Sequence, residues 1–143
     1  MSLDEALGIW GEAAQDLMSA RLAYVAGNFY NCADLCNQVA EKALQSVYVL
    51  THDARAAYNH NLRALGELVQ APPDILSDLA TLSGYHPSVF LPNRTLEEAD
   101  DEVAPETADQ LMGMARGVLR WARPLVLGAN PAPGRFSPMG GEA

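Results

Sequence analysis

The chain has 143 residues, a formal net charge of -9 and an apolar fraction of 49%, enough for one domain that buries a core without disulfide or metal staples. The negative balance opposes strong, sequence-indifferent attraction to phosphate backbones, and no apolar run approaches the roughly 20 residues needed to span a bilayer. Two cysteines at helical spacing, with no basic and apolar leader before them, lead us to expect a reduced, cytoplasmic protein.

Residues 3–26 read as the first helix. Leu3, Trp10, Leu17 and Tyr24 recur every seven positions, Ala6, Ala13 and Ala20 make a second row, and Leu7 and Ala14 widen the stripe, as on a bundle helix. Small side chains in one row let a neighbouring backbone approach closely. Ser2 or Asp4 suits the N-cap, and Gly27-Asn28 gives a left-handed stop and a short reversal, so the next helix runs antiparallel.

That next helix, residues 28–50, organises the chain. Phe29, Cys36, Ala43 and Leu50 recur every seven residues, and Cys32, Ala33, Val39, Ala40 and Val47 flank them. Leu35, Leu44 and Tyr48 extend the apolar surface, leaving a thin polar strip of Asp34, Gln38, Glu41 and Gln45. A helix this apolar must be covered on more than one side. If the chain leaves one side bare, a second copy covers it, and we therefore expect a homodimer through this helix and its neighbours.

Residues 51–61 are polar enough to be a connection. Asn59 or Asn61 can cap a shorter helix carrying Leu62, Leu65, Leu68 and Val69, which Ala71-Pro72-Pro73 ends. Asp74 leads a brief amphipathic segment with Ile75, Leu76, Leu79 and Leu82, stopped at Gly84. From 85 to 104, Pro87, Pro92 and Asn93 interrupt any period, and the acidic run Glu97, Glu98, Asp100, Asp101 and Glu102 reads as a surface loop before the next helix. Pro105 opens the last long helix, whose face is Ala108, Leu111, Met112, Ala115, Val118, Leu119, Ala122 and Leu125. Pro124 predicts a kink or frayed last turn there. Residues 128–143, rich in Gly and Pro, read as a disordered tail. The expected architecture is all-α: an antiparallel up-and-down bundle of four long or short helices plus a short extra helix, over residues 1–127.

Several residue sets carry possible chemistry. Arg55 and His60, in RAAYNH, pair a guanidinium able to hold a phosphate with an imidazole able to move a 2′-hydroxyl proton; the plainer reading makes His60 a helix-start residue. Tyr85, His86 and Arg94 can form a base-stacking and phosphate-contacting loop, or a loop aromatic that plugs the bundle end. Arg116, Arg120 and Arg123 make a basic stripe, read either as a solvated surface paired with the acidic run or as a phosphate-binding surface. Cys32 and Cys36 lack the further ligands that zinc needs and read as buried thiols. No metal or cofactor is expected.

The order of parts resembles the HEPN domain family. Gly27, Phe29 and Tyr30 begin the second helix, followed by Val39-Ala40-Glu41-Lys42-Ala43-Leu44, and His60, Leu62 and Leu65 open the third. The resemblance implies a dimeric helical bundle associated with nucleotide or RNA binding, with metal-independent ribonuclease activity, or with a small nucleotidyltransferase partner in toxin–antitoxin pairs. Catalytic members carry an arginine and, a few residues later, a histidine at the last long helix. No histidine follows His86 in this chain, and Phe90-Leu91-Pro92 stands where related sequences often read Arg-Tyr-Pro. The leading expectation is therefore a homodimeric binder of a nucleotide, RNA or a nucleotidyltransferase-type partner, without efficient catalysis. A ribonuclease using Arg55 and His60, and an antitoxin-like interaction module, are the alternatives.

Overall fold

The computed structural model describes residues 2–57 and 59–128. Among them the fold is all-helical: α1 (Ser2–Val25), α2 (Phe29–His52), α3 (Leu62–Leu68), α4 (Pro73–Ser83), α5 (Pro87–Phe90), α6 (Leu96–Glu102) and α7 (Pro105–Leu127). Beyond Gly128, the stretch expected to be a disordered tail lies outside the described residues. No helix among those described is long and apolar enough to cross a membrane.

The alanine row of α1 does what small side chains allow: Ala6, Ala13 and Ala20 are completely buried where α1 packs on α2 and α7. The chain reverses at Gly27, whose φ of 81° suits a residue without a Cβ. There the Asn28 N–H donates to the Ala23 carbonyl at 2.9 Å and the Gly27 N–H to the Tyr24 carbonyl at 3.0 Å, a Schellman stop. Lys42 of α2 then binds Asp16 of α1 at 2.8 Å, with Glu12 at 3.7 Å.

α2 is the centre of the bundle, as its pattern predicts. Cys32, Ala33, Cys36, Val39, Ala40, Ala43 and Leu44 have no exposed surface, because α1, α7, α3, α4 and α6 surround the helix. Leu35, Val47, Tyr48 and Leu50 of the same helix are half-buried, so the expected dimer through this helix and its neighbours finds little fully exposed apolar surface on α2 itself.

The last helix packs as an up-and-down bundle predicts, and departs from expectation only in its last turn. Trp10 Nε1 donates to the Leu119 carbonyl at 3.1 Å, while Arg21, further along α1, lies beside Asp109 and Met112. α7 therefore runs antiparallel to α1 and parallel to α2, as the last helix of an up-and-down bundle does. Pro124 does not end the helix, which continues to Leu127. Val126 is buried in a cluster with Ala6, Ile9 and Val49, and that burial outweighs one missing backbone donor.

Residues 85–104, expected as a surface loop, contain α5 and α6. His86 Nδ1 accepts the Ser88 N–H at 3.0 Å to cap α5, with Pro87 in its first turn. Thr95 and Glu98 form a reciprocal capping box at 2.8 and 3.1 Å, which converts the acidic run into a helix start. α6 in turn supports α2: Asp100 Oδ1 accepts the Tyr30 N–H at 2.9 Å, serving the α2 N-terminus where Asn28 makes no side-chain cap. α3 and α4 approach closely at Gly66, where a Cβ would lie 2.5 Å from Leu79 Cδ1.

Candidate functional site

The polar strip of α2 is where the excursion is fastened. Gln45, buried, grips Ala56 from both sides: its Oε1 accepts the Ala56 N–H at 2.7 Å and its Nε2 donates to the Ala56 carbonyl at 2.9 Å. This fixes the segment that carries Arg55 and leads to His60. One turn earlier on α2, burial raises the Glu41 carboxyl above its ordinary range, opposed by Arg55, a Gln45 hydrogen bond, Lys42 and His60. Arg55 and His60 thus both favour the charged form of one carboxylate. Further up the strip, burial also raises Asp34, opposed by a hydrogen bond from Gln38 and by His86.

His60 and His86 come together although 26 positions separate them in the chain. Their rings stack with centroids 3.8 Å apart and planes 25° from parallel. His60 adopts φ 69° just before Asn61, whose Oδ1 caps α3 through the Ala64 N–H at 3.1 Å. His86 Nδ1 accepts a backbone N–H, so its neutral ring carries the proton on Nε2. Burial lowers the His86 pKa and the neighbouring His60 lowers it further, with Asp34 opposing.

The His60 side of this stack opens on a groove of about 490 Å³, lined by Asn59, His60, Asn61, Arg63, Ala80, Ser83, Gly84 and Val89. Ser83 Oγ is committed to the Leu62 N–H at 2.8 Å. Beyond α5 lies a second cleft of about 330 Å³, where Asp34 and Asp100 face Tyr30, Pro87, Leu91 and Leu96.

The remaining predicted site residues fall elsewhere. Tyr85 is half-buried in an aromatic stack, 5.4 Å from Phe90, which lies 5.1 Å from Tyr30. The Tyr85 carbonyl accepts the Tyr30 hydroxyl at 3.1 Å, and Tyr30 is pushed up to about 12 by burial and then by Asp34. Arg94 sits 4.4 Å over the Phe90 ring. Its guanidinium donates to both Glu102 oxygens at 2.9 Å and to the Phe90 carbonyl at 2.6 Å. Tyr85 therefore packs on Phe90 and Arg94, itself exposed, lies over the same ring, close to the plugging aromatic that is one of the two readings. Arg116 and Arg120 are exposed on α7, and Arg116 lines a shallow groove with Arg21 and Asp109. Cys32 and Cys36 are buried as read. The contribution missed in sequence was the α2 strip, visible as four polar residues with no stated task.

This arrangement, a central apolar helix whose polar strip anchors a histidine-bearing excursion, agrees with what comparison finds. The HEPN domain model matches residues 8–125, and the chain belongs to the HEPN domain family. Among solved structures, TT1696 from Thermus thermophilus superposes with a TM-score of 0.72 at 19% identity, covering 84% of this chain and 97% of that one. ST0689, an archaeal HEPN homologue, gives 0.70 at 24% identity, covering 85% and 97%. These likenesses concern the fold. No curated protein matches the sequence.

Proposed function

We propose that this HEPN domain binds a nucleotide, or the end of a short RNA, at the His60–His86 stack, and that it does so as a homodimer without efficient turnover. The observation that carries the reading is the stacked imidazole pair at the side of a groove of about 490 Å³, a volume in the range of small-ligand sites. Imidazole faces and edges suit a base, and Arg63 at the groove suits a phosphate. The net charge of -9 favours a short ligand over a long polyanion.

α7 contains no histidine, a feature that argues for binding over turnover. The test is titration of the full chain with AMP, ATP and a trinucleotide, followed by histidine ring resonances. Shifts at His60 and His86, with affinity about tenfold weaker in His60→Ala, are expected. Unmoved ring resonances at millimolar nucleotide would refute the reading.

A second reading draws on the segment that Gln45 fastens, which carries Arg55 and leads to His60: a metal-independent ribonuclease with His60 as general base. Cleavage of end-labelled RNA in chelator by the wild type, abolished by His60→Ala, would establish it. Cutting that persists in His60→Ala would remove it.

A further inference from the structure

The outer face of α1 has no partner among the described residues. Along it, in alternating steps of three and four, run Gly8, Gly11, Gln15, Met18, Leu22 and Val25. Met18, Leu22 and Val25 are 63%, 72% and 83% exposed, an arrangement that water disfavours and that marks contact surfaces when contiguous. The N-terminal half of the same line is its opposite. Gly8 and Gly11 lie within a helix, where glycine is a weak former, and a Cβ at either would meet nothing within 4 Å. No neighbour among the described residues explains them.

We propose that this face is where two copies of the chain associate, their α1 helices antiparallel about a two-fold axis passing between Gln15 and Met18. In that register Leu22 meets the partner's Gly11 and Val25 meets the partner's Gly8. Each large side chain enters the space a glycine leaves, and the two-fold makes every such contact twice.

Charge points to the same orientation. Asp4, Glu5 and Glu12 are exposed in the first half of α1, and Arg21 is exposed in the second, beside Arg116 of α7. Antiparallel pairing brings each acidic half toward the other's arginines. A parallel pair would set acid against acid and glycine against glycine, leaving one end slack and crowding the other. Met112 and Gly113 of α7, next to Arg21, extend the surface.

This interface rests on the homodimer part of the function proposed above and moves its contact from α2 to α1. The test is light scattering of the full chain at high micromolar concentration, together with cysteine cross-linking. The native Cys32 and Cys36 are buried and do not compete. A wild-type dimer is expected, with Leu22→Glu weakening association roughly 100-fold. Under mild oxidation, G11C/L22C is expected to form a covalent dimer, while Gly11→Cys and Leu22→Cys singly do not. A dimer indifferent to Leu22→Glu would overturn the α1 interface and leave self-association standing. Cross-linking by Leu22→Cys alone, or none by the double variant, would overturn the antiparallel register. Monomer alone in the wild type would overturn both the interface and the homodimer.

Discussion

α1, α2 and α7 hold one another through rows of alanine, leucine and valine, whereas the excursion from 53 to 104 adds directional polar hooks to its own buried Leu62, Leu65, Leu79 and Leu82. Asn37 holds the Leu82 carbonyl at 2.9 Å, Gln45 holds Ala56, and Asp100 reaches back to Tyr30. Apolar rows are non-directional and act together, so the three long helices should melt as one unit. Hydrogen-bonded hooks are local, and each can be released with limited effect on the rest. The side chains with chemical potential, Arg55, His60 and His86, lie in the second region, positioned by the first.

This contrast can be broken or sharpened in order of expected effect. Leu44, fully buried at the middle of α2, should cost about 3 kcal/mol as Leu44→Ala, measured by denaturant unfolding with a single transition. A loss under about 1 kcal/mol would mean that the core is not centred on α2. Gln45→Leu keeps the volume but strands the Ala56 N–H and carbonyl, at a cost of about 2 kcal/mol. Amide exchange should accelerate in residues 53–61 and stay slow in α1; uniform acceleration would contradict local anchoring.

Thr95→Ala removes the α6 capping box, at about 1 kcal/mol. The Tyr30 amide, which depends on Asp100, should lose protection in the same experiment, and an unchanged Tyr30 would show that α6 does not support α2. The smallest effect concerns Glu41. Its raised pKa means that the folded chain holds a proton more readily than the unfolded chain, so its penalty is absent below the ordinary glutamate value of 4.5 and grows as pH rises through the folded value. Glu41→Gln should flatten that rise, seen as a smaller pH dependence of the unfolding midpoint from acid to neutral pH. An unaltered pH profile would place Glu41 in water.

The regular region was the legible one. The period of seven in α1 and α2, the stop at Gly27 and the cap at Asn61 follow from local rules that short stretches of sequence express. The excursion was legible only in parts. Thr95-Leu96-Glu97-Glu98 was a capping-box signal inside what reads as an acidic loop, and its meaning depended on giving Thr95 the same weight as the charges. The meeting of His60 with His86 had no local sign, because it follows from α3 and α4 folding back at Gly66. The same holds for the pairing of Arg94 with Glu102, which no local pattern announces. The bare face of α1 was present in the sequence as Met18, Leu22 and Val25, but a widened stripe cannot by itself say which edge stays uncovered.

Lys42 is the chain's only lysine, and it is drawn in between α1 and α2 by Asp16 and Glu12. Apart from the chain's α-amino group, a reagent that acylates amines therefore has this one address on the protein. Its access to the amine is limited by how often the ion pair with Asp16 opens. The rate at which Lys42 is labelled becomes a clock for that opening, readable by mass without any engineered probe.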